Sequence, residues 1–137
     1  MRVLLASMLI AVPAAAMPLA SDRAEADLAC AAFLAWRADH GRPVEAAPTA
    51  QSALFARAMS AESAETGTDP LDLLGALQDR MRVIQDAYQR AEESGFALLD
   101  GLAVRAEDLG GLEETCPQRV RAPEGPAERA ADVPPRG

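Results

Sequence analysis

Residues 69–95 read DPLDLLGALQDRMRVIQDAYQRAEESG, and this stretch decides the fold. Asp69 is a suitable N-cap, and Pro70 at the first helical position lacks only an N–H that the helix would leave unpaired. Large apolar residues and one alanine then recur at alternating spacings of three and four: Leu74, Leu77, Met81, Ile84, Tyr88 and Ala91. That spacing predicts one long helix with a buried a/d seam, ending at Ser94-Gly95.

Two further helices are predicted before this segment. A first helix is expected over 22–39, with Ser21 as its N-cap and Gly41 after its last turn. A second is expected over about 50–66, with Thr49 as its cap. Alanine is frequent while β-branched and aromatic residues are few, so the composition favours helix over sheet.

The segment after the long helix is expected to be helical as well. Leu98, Leu99 and Leu102 indicate a short helical piece that Gly101 interrupts. A last helix is predicted over 107–115. We therefore predict an all-α domain, a small bundle of three to four helices.

The N-terminal segment has the pattern of a secretory signal. Arg2 precedes an apolar run over 3–12, and small residues follow at the positions that a signal peptidase requires. We predict that residues 1–16 are a signal peptide cleaved after Ala16. A cut after Ala20 is one alternative. A retained membrane anchor is another, although the uncharged run falls just short of the about 20 residues that cross a bilayer.

The chain has two cysteines, Cys30 and Cys116. An exported chain meets oxidising conditions, so the two are expected to form an intramolecular disulfide near the ends of the domain. In the chain-entropy model, closing a loop of that length stabilises the fold by about 4.5 kcal/mol. Pairing between two chains is the alternative. These cysteines are the whole site prediction, which contains no catalytic, cofactor-binding or metal residue.

Length and charge limit the organisation and the partners. Removal of residues 1–16 leaves about 120 residues, enough for one helical domain over 17–117. Residues 118–137 are rich in proline, arginine and glutamate and are predicted to be a disordered tail. The net charge of −8 becomes −9 without Arg2. We therefore expect no nucleic-acid partner and no stable membrane insertion after cleavage, and a monomer rather than a dimer.

One acidic ladder resembles a set of metal ligands. Its members recur every seven residues on the long helix: Asp72, Asp79, Asp86 and Glu93. Seven helical residues rise about 10.5 Å, which is too far for neighbouring carboxylates to share one ion. All four also fall opposite the apolar seam, so we interpret them as a solvent-facing row.

Other chemistry-bearing side chains have structural interpretations. His40 is the only histidine, and it stands at the end of the first helix without a Ser-His-acid or Cys-His partner in the sequence. Trp36 and Tyr88 are expected in the core, with a ligand pocket as the alternative. The sequence therefore favours a protein that is not an enzyme and needs no cofactor.

Cys30 in its alanine-rich helix, together with Cys116-Pro117, gives a layout that resembles a set of small, uncharacterised exported bacterial proteins. Those proteins are helical and carry one cysteine early in the first helix and another at the end of the last. The layout is also similar in architecture to acid-activated periplasmic chaperones, which are small, helical and single-disulfide. The first resemblance implies no particular activity, and the second implies an acid-dependent one.

These observations lead to one main functional hypothesis and two alternatives. The main one is a periplasmic or secreted, non-enzymatic module that binds another envelope protein or supports an assembly. One alternative is an acid- or stress-activated chaperone, because acidification would turn the −9 chain strongly positive. The other is a small-ligand carrier or an enzyme that uses a cavity in the bundle.

Overall fold

The computed structural model describes residues 17–44 and 47–120. The predicted signal peptide and residues 121–137 of the predicted tail lie outside this part of the chain. The described elements, in order, are α1 (Asp22–Asp39), α2 (Ala47–Thr66), α3 (Pro70–Ser94), β1 (Phe96–Leu99), β2 (Leu102–Arg105) and α4 (Ala106–Arg119). The predicted helical bundle is confirmed, with one small β-hairpin added to it.

α1 is the central helix and contacts α2, α3 and α4. Its start is as predicted, because the Ser21 hydroxyl accepts a hydrogen bond of 3.1 Å from the backbone N–H of Ala24. Its end is also as predicted, since Gly41 follows with a φ of +72° that suits glycine. Leu28, Phe33 and other side chains on several faces of α1 are buried, as expected for a helix enclosed by its neighbours.

The residues before α1 are fixed to the body of the domain. The Glu62 carboxylate accepts hydrogen bonds of 2.9 Å from the backbone N–H groups of both Ala20 and Ser21. Leu19 donates its backbone N–H to Glu25 at 3.0 Å and packs partly buried against an apolar cluster that includes Leu28. The ordered domain therefore includes these residues.

α2 begins three residues earlier than predicted. It starts at Ala47, so Thr49 lies inside its first turn and is not the cap. Pro48 also lies in this first turn, where proline is tolerated because its missing N–H would have no intrahelical partner.

α3 confirms most of the predicted seam. Four seam residues are buried: Leu77, Ile84, Tyr88 and Ala91. Asp69 caps the helix through a 2.9 Å hydrogen bond from the N–H of Leu71, and Gly95 ends it with a φ of +91°. The prediction was wrong for Leu74, which is 38% exposed, because in the first turns of α3 it is Leu73 that packs against the core.

The region predicted as a broken helix after α3 is a β-hairpin. β1 and β2 pair antiparallel, with Leu98 opposite Ala103 and Leu99 opposite Leu102. The turn between them is Asp100-Gly101, and both residues have positive φ, at 54° and 81°. Those angles are the requirement of a tight type I′ hairpin turn, which outweighed the helix propensity of the leucines.

α4 is longer than predicted at both ends. It runs from Ala106 to Arg119 and includes Pro117 in its last turns. Val120 packs partly buried against the core, and the carbonyls of Arg119 and Val120 accept hydrogen bonds from Arg57 on α2. Residues 118–120 therefore belong to the folded domain, contrary to the predicted tail boundary.

Candidate binding surface at the hairpin

The hairpin presents one apolar face to the core and another to solvent. Ala97 is buried, and Leu99 and Val104 pack half-buried against the core. Side chains alternate along a strand, so Phe96 and Leu98 point the other way, and they are 57% and 56% exposed.

The outward surface can be defined from the pairing. Ala103 and Arg105 lie opposite Leu98 and Phe96, so these four residues form what we call the outer hairpin face. Leu102, beside the turn, is 74% exposed as well, but it pairs with Leu99 and therefore lies on the opposite face of the ribbon. Phe96 and Leu98 are therefore two large, adjacent apolar side chains on one solvent-facing side of the hairpin, which makes this face the candidate interaction surface.

A buried arginine holds the tip of this hairpin. Arg80 on α3 is 1% exposed. Its Nη2 lies 2.8 Å from Glu25 Oε2 on α1, and its Nη1 donates to Asp100 in the hairpin turn at 3.2 Å. Nη2 also contacts the other Asp100 oxygen. We call Arg80, Glu25 and Asp100 the Arg80 clasp, because these three residues join α1, α3 and the hairpin.

The charge state of the clasp follows from its surroundings. Burial lowers the pKa of Arg80, but the hydrogen bonds to Asp100 and Glu25 and the charges of both carboxylates raise it, and the net direction is upward. The guanidinium therefore stays charged. If Asp100 moved away, the buried Arg80 charge would lose one of its two partners, and leaving a buried charge uncompensated is destabilising. Arg80 therefore holds Asp100, and with it the hairpin turn, in place.

The other end of the domain is joined covalently. Cys30 on α1 and Cys116 on α4 form the predicted intramolecular disulfide, with Cα atoms 5.1 Å apart. Cys116 is fully buried, and Cys30 is nearly so. This bond attaches α4 to the central helix.

Two more groups of charges, each built around one buried side chain, connect the helices. The buried Asp27 carboxylate lies between Arg57 on α2 and Arg119 on α4. Arg37 pairs with Glu92 at 3.3 Å and with Glu113 at 3.1 Å. Every member has an opposite charge beside it, as buried ionic groups require, so these pairs have a structural explanation.

The residues singled out in the sequence do not converge on a reaction centre. In the acidic row of α3, Asp72, Asp86 and Glu93 are exposed and Asp79 is half-buried, close to the solvent-facing interpretation. Within residues 17–44 and 47–120, no three histidine, cysteine, aspartate or glutamate side chains are placed to hold one metal ion. His40 lies at the end of α1, where its Nδ1 is 2.8 Å from the Trp36 carbonyl.

Trp36 and Tyr88 lie in the core, as the main interpretation expected. Both pack with Phe33, and the Tyr88 ring meets the Phe33 ring edge-on at 5.7 Å between centroids. Trp36 Nε1 donates to Gln89 at 2.9 Å, and the Tyr88 hydroxyl donates to the Ala29 carbonyl at 3.1 Å. Burial, assisted by the charge of Glu25, raises the pKa of the Tyr88 phenol.

The clefts of the described domain are open at the surface. One of them, of about 560 Å³, lies beside the disulfide between α1 and α4. Arg119 is the one ionisable side chain of its lining, and it already pairs with Asp27. This cleft therefore supplies no acid–base pair for chemistry.

Comparison with known proteins found no relative of this chain. No family model, no curated protein and no solved structure matches the chain. The resemblance to small exported single-disulfide proteins remains a prediction. Among the described helices, none combines the length and the apolar character that crossing a membrane requires.

Two features of this surface were missed in the sequence. Asp100-Gly101 between apolar residues is a strong hairpin signal, so the hairpin could have been predicted from the sequence. The burial of Arg80 had no comparable signal, because an arginine on an otherwise amphipathic helix is normally exposed. Its role depends on Glu25 and Asp100, which are distant in sequence.

Proposed function

We propose that this chain is an exported, non-enzymatic protein-binding module of the cell envelope, and that the outer hairpin face contacts its partner. The observation that carries the proposal is the exposure of Phe96 and Leu98 on one face of a hairpin whose turn is fixed by the Arg80 clasp. A rigid apolar patch loses little conformational entropy on binding. The export and the envelope location rest on the signal-like N-terminus and are supported by the disulfide.

The partner would cover apolar side chains and meet the single charge of this face. Phe96 provides an aromatic anchor of the kind that dominates interface energies. Arg105, across from Phe96, offers a guanidinium to a carboxylate or a carbonyl group on the partner. The partner surface is therefore apolar at its centre, with an acceptor at its edge.

The test is site-specific photo-crosslinking in the native host. A photoreactive residue at Leu98 of the full chain is expected to give one discrete adduct with a different protein, and Phe96→Ser in the same chain should abolish it. The matched control carries the photoreactive residue at exposed Ser60 on α2. Equal or absent labelling at the two positions would refute the proposed surface, and so would adducts with a second copy of the chain alone.

An acid-dependent chaperone is a second candidate, and one observation favours it. The Arg80 clasp and the pairs around Asp27 and Arg37 all depend on carboxylates, whereas the disulfide does not. Protonation of those carboxylates would release the hairpin, expose its inner face and leave α4 attached. Suppression of client aggregation at about pH 3 but not at pH 7 would support this function. Equal aggregation at both pH values would eliminate it.

A further inference from the structure

We propose that the Cys30–Cys116 disulfide is a redox-sensitive site, which a thiol reductant opens by attacking Cys30 Sγ through the cleft between α1 and α4. The attacking group is a thiolate, which belongs either to a small thiol or to the active site of a dithiol protein. The lining of the cleft includes no residue of the outer hairpin face, so the inference goes beyond the proposed binding function.

The cleft lies across the point where the disulfide joins the two helices. Its lining consists of Ala26, Ala29 and Cys30 on α1 with Leu112, Thr115, Gln118 and Arg119 on α4. The four lining residues of α4 lie within about one helical turn of Cys116, before and after it. Since the cleft is open at the surface, a molecule from solvent has a route to the bond in the folded domain.

The two sulfurs of the disulfide differ in their access to this cleft. Cys30 lines the cleft and is 8% exposed, whereas Cys116 is 0% exposed and is not part of the lining. In thiol–disulfide exchange, the attacking thiolate must reach one of the two sulfurs of the bond. In the folded domain the attack is therefore directed to Cys30.

The charge beside the cleft favours an anionic nucleophile. Arg119 lines the cleft, and it shares the buried Asp27 carboxylate with Arg57. Two guanidiniums beside one carboxylate leave a local positive charge, although the chain as a whole has a net charge of −8. Because the thiolate is the reactive form of a thiol, this local charge attracts the reductant towards Cys30.

The reaction is a two-step exchange. The incoming thiolate forms an S–S bond with Cys30 Sγ, and the original bond breaks with its electron pair on Cys116 Sγ, which takes a proton from water. A second thiolate of the reductant then attacks the reductant's own sulfur in this mixed disulfide. That step forms the disulfide of the reductant and releases Cys30 as a thiolate, which is protonated in turn. The protein is thereby reduced and the reductant is oxidised by the same electron pair.

Reduction changes the way in which the end of α4 is held. Pro117 lies inside this helix, so the hydrogen bond that a backbone N–H would donate to the preceding turn is missing there. Without the disulfide, the last turn is held by non-covalent contacts, among them the Arg119–Asp27 pair and the hydrogen bonds from Arg57 to the carbonyls of Arg119 and Val120. The reduced domain therefore opens first at the end of α4, beside the cleft.

The experiment maps the mixed disulfide in the folded, oxidised mature chain. A brief pulse of reduced glutathione is quenched with acid, free thiols are alkylated, and the peptides are analysed by mass spectrometry. We expect glutathione on Cys30 to exceed glutathione on Cys116 by about tenfold or more, because access directs the attack. The matched control is the same pulse in concentrated urea, where both cysteines are exposed and the preference should disappear.

A variant that fills the cleft tests the route of the reductant. Thr115→Trp places a large side chain at an exposed position of the lining and should slow reduction by glutathione about fivefold or more. Ser60→Trp, at an exposed position on α2, is the control and should leave the rate unchanged. Circular dichroism checks that both variants are folded.

A dithiol protein distinguishes the two sources of the thiolate. Reduced thioredoxin whose second active-site cysteine is replaced by serine should form a covalent complex through Cys30, and this result assigns a protein reductant. Exchange of glutathione at Cys30 without such a complex assigns a small thiol.

Hydrogen exchange measures the consequence for α4. In the reduced chain, protection over residues 112–120 should fall before that of α3. Equal labelling of the two cysteines in the folded chain, or preferential labelling of Cys116, would overturn the proposal. A reduction rate equal to the rate of global unfolding would overturn it as well, and so would unchanged protection at the end of α4.

Discussion

The hairpin and α4 are both attached to the body of the domain, but by different chemistry. The hairpin turn is joined through the Arg80 clasp, which consists of one buried guanidinium and two carboxylates. α4 has ion pairs as well, from Arg119 to Asp27 and from Glu113 to Arg37, but it is also joined covalently through the Cys30–Cys116 disulfide. The ionic attachment responds to charge and to acid, whereas the covalent one responds to reduction. The same small domain can therefore release one element while it retains the other.

Reduction of the disulfide should have the largest effect on stability. The bond closes a long loop between α1 and α4, so its loss is expected to lower the free energy of unfolding by about 2–4.5 kcal/mol. Urea unfolding of the oxidised and the reduced protein measures the difference. Cys30→Ala with Cys116→Ala is the control, and its stability should not change with reductant. Equal midpoints for the oxidised and reduced wild type would contradict this assignment.

Arg80→Met should have the next largest effect. It leaves the Glu25 and Asp100 carboxylates close together without a counter-charge, and we expect a loss of about 3 kcal/mol, the lower end for broken buried pairs, because both carboxylates are partly exposed. Arg82→Met is the matched control on the same helix. Arg82 forms an exposed pair with Asp79, so its loss should cost at most about 0.5 kcal/mol. Similar losses in the two variants would show that the Arg80 clasp stabilises the domain no more than an exposed ion pair does.

Alkaline pH should lower the stability of the core around Tyr88. Folding raises the pKa of Tyr88 above its unfolded value, so the contribution of the neutral phenol is complete below the usual tyrosine pKa and is lost as pH rises through the folded value. Stability should fall by up to about 1.4 kcal/mol per pH unit above pH 10. Unfolding curves from pH 8 to 11 measure it, and in Tyr88→Phe this part of the slope should disappear. An unchanged slope in that variant would assign the pH dependence to other groups.

Phe96→Ser with Leu98→Ser should have the smallest effect on stability. Both side chains are more than half exposed, so the free energy of unfolding is expected to change by at most about 0.5 kcal/mol. Partner cross-linking from a photoreactive residue at Ala103, on the same face of the hairpin, should nevertheless be lost. Ala97→Ser, which places a hydroxyl on the buried face of the same strand, gives the opposite pattern: lower stability with the binding surface retained. A large loss of stability from the outer-face changes would make these residues structural.

The sequence predicted the elements that depend on local signals. Ser21, Asp69 and the glycines after the helices fixed α1 and α3 closely, because caps and left-handed residues act within one turn. The disulfide followed from having only two cysteines. Local reasoning failed where a stronger local signal was overlooked, as at Asp100-Gly101, where turn geometry outweighed the helix propensity of the neighbouring leucines.

The ionic attachment could not be predicted in the same way. Arg80 lies 55 residues from Glu25 and 20 from Asp100, and nothing in its own neighbourhood distinguishes it from exposed Arg82 or Arg90. The exposure of Leu74 could not be predicted for a similar reason, since its position in the seam spacing is equivalent to that of residues that are buried. Both features depend on which elements lie nearby in space.

Hydrogen exchange followed by mass spectrometry tests the central claim most directly, namely that the Arg80 clasp positions the hairpin while the disulfide positions α4. Wild type and Arg80→Met are compared under conditions in which both are folded. The account predicts faster exchange over residues 96–105 in Arg80→Met, with the protection of α4 around Cys116 unchanged. Unchanged protection of the hairpin, or an equal loss of protection in α4, would contradict it.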